Sequence, residues 1–469
     1  MSDNIRKPTG MTAFIIIWIG QVLSLLGTAI SNYGVRFWIY EAIPGQATPF
    51  TLIAFFFTLP MVVLTPIVGV LVDRHNRKLM MMLSDLAAAL TTLILLILYV
   101  TGHLQVWHLY FTAFISGTFQ GFQWPAYSAA ISTMLDKKDY ARAGGMLEMV
   151  GPASFTFAPM IAAAIIGPLG IVIRNMFGPA FISRLSGEPG LLALLVIDLI
   201  SASFAIGSLL FVHIPQPEQS ESGKQAEGNF VKQALFGFRY IAERPSLLGL
   251  QLVFLLGNLF SSLGYAVYDP MILARTGGDK LVFGSIQTIG AIGGVMGGLA
   301  MGAWGGFKKR VHGVLLGWAL TGASMYAMGV ANAFLPWMII AFISSLFGPL
   351  INASNQAIWQ SKVPPDIQGR VFASRRLIAW MVSPVSLLVA GPLADEIFEP
   401  GMQLNGGLHH IFGWMVGSGS GAGMALQFAL AGLFALVIGM GGYLFKVIRH
   451  AEELLPDHDA LRETTPETS

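Results

Sequence analysis

The sequence predicts an all-α membrane protein of twelve transmembrane helices, arranged as two pseudo-symmetric six-helix bundles. Three observations predict it: scarcity of charge, the length of the charge-free runs, and a repeat of both patterns along the chain. Of 469 residues, 54% are hydrophobic and only 11% charged. Soluble domains carry about 25% charged residues, so this chain could not cover a water-facing surface. Its 54 glycines suit membrane helices, which approach closely through small residues.

A spanning helix needs about 20 mostly apolar residues. Apolar segments lie at 12–40, 50–72, 146–173, 191–213, 247–274, 281–304, 371–393 and 422–445. Two longer charge-free runs, Leu86–Leu135 and Val311–Ser361, break at Thr101-Gly102-His103 and between Asn332 and Pro336. Each is expected to form helix, turn, helix, which completes the twelve. The first segment lacks a cleavage site and reads as an uncleaved helix.

An even helix count puts both termini on one side. That side holds all the Lys and Arg residues except Arg36, Arg174, Arg184, Arg275 and Lys280. The positive-inside rule makes it cytoplasmic. The expected location is a bacterial inner membrane, multi-pass, with both termini in the cytoplasm.

The polar stretch Ile214–Asn229, rich in Pro, Gln, Glu and Ser, reads as a flexible connection. The expected organisation is a bundle over 1–213, a cytoplasmic linker over 214–243, a second bundle over 244–447 and a cytoplasmic tail over 448–469. The long charge-free runs, the basic clusters at 74–78 and 308–310, and the pair Asp139 and Asp366 all recur at an offset near 230. That offset implies parallel repeats, with a substrate site expected at mid-membrane between the halves and access alternating between faces.

After the second segment the chain reads Gly69-Val-Leu-Val-Asp73-Arg74-His-Asn-Arg77-Lys78. This resembles motif A of the major facilitator superfamily, with Asn76 where the family has Gly. Asn tolerates a left-handed turn best after Gly, so such a turn is expected at Asn76. Asp73 is expected at the N-terminus of the third helix, where a carboxylate is favoured. The resemblance implies a conformational gate built from Gly69, Asp73, Arg74, Arg77 and Lys78, with Arg370, Arg375 and Arg376 as candidate partners of Asp73. In helix 5, Gly145, Ser154, Ala158, Pro159, Ala162 and Ala163 follow the spacing of the antiporter motif, with Gly replaced by Ser or Ala. Trp38-Ile-Tyr40-Glu41, Gly121-Phe-Gln-Trp-Pro125-Ala126 and Val363-Pro364-Pro365-Asp366-Ile-Gln-Gly369-Arg370 resemble the branch that includes macrolide efflux proteins and the enterobactin exporter. Loops near 174–190 and 395–421 look longer than in that branch.

The resemblance implies that helices 1, 4, 7 and 10 line a cavity, and each carries polar residues at helical spacing. Candidate substrate contacts are Gln21, Asn32, Arg36, Gln120, Gln123, Tyr127, Asn258, Tyr265, Asn355, Gln356 and Trp359. Such polar residues also serve as hydrogen-bonding glue between helices. Trp18, Trp38, Phe119 and Trp124 suit a bulky apolar substrate or ordinary core packing. Acids inside a membrane are expensive and mark ion pathways. Glu148, Asp198 and Asp85 are therefore the candidate proton carriers, in that order, with a structural ion pair as the alternative for each.

The chain has no cysteine, which excludes disulfides and thiol chemistry. No P-loop or nucleophile–base pairing is visible, so neither an enzyme nor a cofactor is expected. The pair His409-His410 reads as exposed rather than metal-binding. Expected partners are a small-molecule substrate, protons and membrane lipid, with no nucleic acid, and a monomer is expected. The favoured function is proton-coupled export of an amphipathic drug or secreted metabolite. Uptake or uncoupled diffusion stands as one alternative. A non-transporting sensor or assembly factor stands as another.

Overall fold

Runs of apolar residues too long for a soluble core dictate the architecture, and the computed structural model follows them. It describes residues 8–135, 139, 146, 156–215, 230–364 and 367–457. Among these, eleven helices are long and apolar enough to cross a membrane. The first six long helices are α1 (Gly10–Ala42), α2 (Thr48–Arg74), α3 (Arg77–Val100), α4 (Val106–Met134), α5 (Thr156–Phe177) and α6 (Gly190–Phe211). An amphipathic helix α7 (Phe230–Ala242) follows. Then come α8 (Pro245–Arg275), α9 (Lys280–Trp304), α10 (Arg310–Val330), α11 (Phe334–Lys362), α12 (Arg370–Gly401), α13 (Gly407–Val416) and α14 (Ala422–Gly441). The described long helix outside the eleven is α4. It spans 29 residues and carries Gln120 and Gln123 among its apolar residues.

The helix breaks follow local chemistry. Gly102, with φ of 76°, turns the chain after α3, a conformation glycine adopts without a side-chain clash. The break after α10 falls at residues 331–333, and Pro336 lies in the first turn of α11. Proline is tolerated there because the first helical N–H groups need no partner within the helix. Pro168 lies in a widened π-helical turn, Ile165–Leu169, where a missing N–H shifts the hydrogen-bond ladder.

The expected left-handed turn at Asn76 is not formed. Asn76 has φ of −63° and caps α3 instead, its side chain accepting from the Leu79 N–H at 3.1 Å. Only His75 and Asn76 separate α2 from α3. With so short a connection, the residue before the helix must be its N-cap, a role Asn fills well. The cap that starts α3 is therefore Asn76 and not Asp73.

The chain divides into two compact units. One holds Met1–Glu218 with Ile272–Thr288, and the other Gln219–Met271 with Ile289–Ser469. In the first, α1 packs on α6, α2 on α4, and α3 on both α4 and α6. Glycines set the α1–α6 seam. Gly20, Gly27 and Gly34 face Ser208, Ser201 and Leu194, and a Cβ on any of them would come within 2.6 Å of those side chains. Both rows step by seven residues, so each contact repeats two turns along. Dispersion, not the hydrophobic effect, drives such contacts in lipid, and it needs this close approach.

In the second unit, α10 packs on α14 and α11. Gly322 and Gly329 meet the α14 backbone, as Gly432 and Gly439 meet that of α10. The seven-residue step recurs there. Helix α7 lies on the first turns of α12, with Gly237 against Ser374 and the Arg370 guanidinium 4.8 Å from the Phe236 ring centre.

One end of this unit is closed by the C-terminal segment. Lys362 is only 6% exposed, and its Nζ donates to the Glu452 carbonyl at 2.6 Å, the Leu455 carbonyl at 2.5 Å and Asp457 Oδ1 at 2.8 Å. Glu452 Oε2 accepts from the Val311 N–H at 2.9 Å, satisfying a donor at the start of α10. Lys309 pairs with Glu453 at 2.8 Å. The chain just past the last long helix is thus strapped to α10 and α11.

Candidate functional site

The first unit buries two acids. Asp85 sits on α3 and is 3% exposed; Asp198 sits on α6 and is 4% exposed. Both Asp85 oxygens are occupied. Gln21 Nε2 donates to Oδ2 at 2.7 Å and Gln123 Nε2 to Oδ1 at 2.7 Å. Gln123 also donates to Gln21 Oε1 at 2.8 Å. Helices α1, α3 and α4 therefore close a triangle of one carboxylate and two amides. A buried carboxylate is tolerable only when its lone pairs are satisfied.

Asp198 is surrounded differently. Thr28 Oγ1 donates to Oδ1 at 2.8 Å, Thr92 Oγ1 to Oδ2 at 2.7 Å, and Ser31 adds a third hydroxyl. Gln21 and Thr28 are seven residues apart on α1, as Asp85 and Thr92 are on α3. The two acid sites are thus stacked two turns apart, about 10.5 Å, along one interhelical seam. Gly27 makes the second site possible. It lets α6 approach α1 beside Asp198, whose Cα lies 3.3 Å from where a Gly27 Cβ would be. The third expected proton carrier, Glu148, lies outside the described residues, as do Gly145 and Ser154.

Of the expected substrate contacts, Gln21 and Gln123 belong to the Asp85 triangle. Asn32 is exposed and Gln120 half-buried. Arg36 stacks over Tyr33 at 4.9 Å. Tyr127 is buried, its hydroxyl without a hydrogen-bond partner. In the second unit Asn258 donates to the Ala379 carbonyl at 3.1 Å, and Tyr265 is 47% exposed. Trp359 Nε1 donates to Asn355 at 2.9 Å, and Arg375 donates to Gln356 at 2.7 Å. Arg375 also lies 5.3 Å from the Trp359 ring centre and 5.0 Å from that of Phe372. The structure thus joins Gln356, Trp359 and Arg375 into one cluster on α11 and α12. Arg376 faces Trp380 at 5.9 Å. Two of the aromatic candidates bond to backbone: Trp18 to the Met146 carbonyl and Trp38 to that of Ser186.

Of the motif A residues, Gly69, Asp73 and Arg74 fall within α2, their side chains outside the described structure. Lys78 donates to the Val212 carbonyl at 2.8 Å, just past the end of α6. A cation is favoured at a helix C-terminus, so this lysine ties α3 to α6. Ala158, Ala162 and Ala163 on α5 are fully buried. A Cβ on Gly284 would lie 3.0 Å from the Pro159 carbonyl, so the small-residue face does admit a close neighbour.

Sequence reasoning missed an ion pair at the other end of the first unit. Lys280, at the start of α9, pairs with Glu41, at the end of α1. Arg174 and Glu188 lie 3.5 Å apart nearby, and a cleft of about 240 Å³ is lined by Arg174, Glu188 and Lys280. Lys280 and Glu41 are 239 residues apart, and no local pattern signals such a pairing.

Among the described residues, eleven helices fit to cross a membrane and two acids buried within one unit describe a polytopic membrane protein, and comparison with known sequences identifies its family. Residues 17–386 match the family model described as Major Facilitator Superfamily. The chain belongs to the Major Facilitator Superfamily. Among curated members of the superfamily, Macrolide efflux protein A of Streptococcus pyogenes is 26% identical over 394 residues, covering 82% of this chain and 90% of that protein. Multidrug efflux pump Tap of Mycolicibacterium fortuitum is 25% identical over 366 residues, covering 76% and 83%. The fold matches solved superfamily structures. A bacterial homologue of the human lysosomal transporter Spinster gives a TM-score of 0.66 at 14% identity, covering 92% of this chain and 94% of that one. The nucleoside transporter NupG gives 0.61 at 13% identity, covering 93% and 100%.

Proposed function

We propose that this superfamily member exports an amphipathic small molecule, a drug or a secreted metabolite, by alternating access coupled to proton entry. The observation that carries the reading is the Gln21–Asp85–Gln123 triangle. It is a carboxylate buried among membrane helices, with amide donors and no basic side chain among its recorded partners. Such a group is costly in its charged form and exchanges a proton readily when the bundle opens to water. The 26% identical macrolide efflux protein supports the direction of transport and a bulky, partly apolar substrate. The clustering of Lys and Arg supports a plasma-membrane topology with both termini cytoplasmic. Gly69, Asp73 and Arg74 at the end of α2, with Arg77 and Lys78 at the start of α3, serve as the conformational gate in this reading.

The test uses everted membrane vesicles from cells overproducing the protein. A respiring vesicle acidifies its interior, and a transported compound should partly collapse that gradient. The Asp85→Asn variant should lose this response while still appearing in the membrane. If a broad panel of macrolides and other amphipathic compounds leaves the gradient unchanged, the coupled reading is wrong. Gradient-independent substrate accumulation would point to uncoupled transport instead.

A further inference from the structure

We propose that the Asp198 site binds a monovalent cation of sodium size within the first unit. The two buried acids have the same setting but opposite donor chemistry. Asp85 is met by amide N–H groups, which donate hydrogen bonds and offer a cation nothing. Among the described residues, Asp198 is met by hydroxyls, from Thr28 and Ser31 on α1 and Thr92 on α3.

A hydroxyl oxygen is both donor and acceptor. On a helix, a Ser or Thr hydroxyl can turn and donate to the backbone carbonyl one turn back. Thr91, next to Thr92, does this to the Ala88 carbonyl at 2.7 Å. The same turn at Thr28, Ser31 and Thr92 aims three oxygens at the Asp198 carboxylate. With the two carboxylate oxygens they form an all-oxygen shell drawn from α1, α3 and α6. Oxygen shells select hard cations.

Charge decides the valence. The shell contains one carboxylate, and no basic side chain is among its recorded partners. One negative charge buried in a membrane bundle is balanced by one positive charge. A divalent ion would leave the site with net charge and too few anionic ligands. The Gly27 contact with α6 holds Asp198 against α1, so the shell is assembled by packing and does not depend on a mobile loop.

This inference goes beyond the export reading, and its test needs no transport. Radiosodium binding to the purified full chain in detergent micelles should be saturable. It should be displaced by unlabelled sodium and not by choline at equal ionic strength. Thr28→Val, Thr92→Val and Asp198→Asn should each weaken it by about tenfold or more. Thr28→Ser keeps the ligand oxygen and should retain binding, as should Thr91→Val, which removes a neighbouring hydroxyl outside the shell. Variants are compared only where gel filtration shows monodisperse protein. Absence of saturable sodium binding in the wild-type chain overturns the proposal and marks Asp198 as a site for a proton alone. Binding unchanged in Thr92→Val and Asp198→Asn overturns it too, placing the ion elsewhere. Failure of export in vesicles would leave both results standing.

Discussion

Gly27 on α1 faces Ser201 on α6 so closely that a Cβ there would lie 2.0 Å from the serine Oγ and 2.9 Å from its Cβ. Ser201 cannot simply swing aside, because its hydroxyl is bonded to the Asp198 carbonyl at 2.8 Å. Gly27→Ala should therefore push α1 away from α6 and loosen the hydroxyl shell around Asp198. Overpacking of this kind costs about 1–3 kcal/mol. A thermal unfolding midpoint lowered by several degrees in micelles is the expected outcome. Gly207→Ala, at an open helical position on α6, serves as the comparison.

Asp85→Asn should leave the protein folded, because an amide keeps one acceptor for Gln21 or Gln123. It should still cut proton-coupled efflux by on the order of tenfold or more, since an amide carries no proton across. Gln123→Leu removes a donor to the same carboxylate and should alter the pH dependence of efflux more than its maximum. Both are read in everted vesicles. Wild-type coupling in Asp85→Asn would remove this residue from the mechanism.

Lys362→Met should free the C-terminal strap. The Glu452 and Leu455 carbonyls and the exposed Asp457 carboxylate lose their shared buried donor, and a carbonyl left unpaired in a buried place costs about 1–3 kcal/mol. The segment relieves that cost by leaving the bundle end. Limited proteolysis should then cut after 446 faster than in the wild-type chain, with the helices otherwise intact.

The same strap should respond to acid. Hydrogen bonding and attraction to Lys309, with a further bond from His450, hold Glu453 below its ordinary value of 4.5. A lowered carboxyl value means the stabilisation is complete above 4.5 and lost as pH falls through the lowered value. Protection of the strap from an acid-tolerant protease should stay constant down to that range and fall below it. Lys309→Ala should move the loss to higher pH.

Much of this was legible in the sequence, and the limits have physical causes. Hydropathy located the long helices, including α4, because the break at Thr101-Gly102-His103 separated it from α3 despite its polar residues. A lone acid in a long apolar run flagged Asp85 and Asp198. Their partners were not legible, because Thr28 and Thr92 lie 170 and 106 residues from Asp198, and only helix packing brings them together. Lys362 looked like one more charge marking an end, yet it is buried beneath the strap. Asn76 was misread because its backbone is set by the length of the connection and not by what the residue tolerates.

The seven-residue glycine rows restrict how each bundle can deform. Along the α1–α6 seam, Gly20, Gly27 and Gly34 are each notched against a side chain of α6. Sliding by one residue would drive side chains into backbone, and the next fitting alignment lies a full seven residues away, about 10.5 Å. The seam therefore behaves as a keyed joint: it holds one setting and resists shear. Small axial slips between α1 and α6 are ruled out as a working motion, and whatever moves during a transport cycle must carry these two helices together as a single strut.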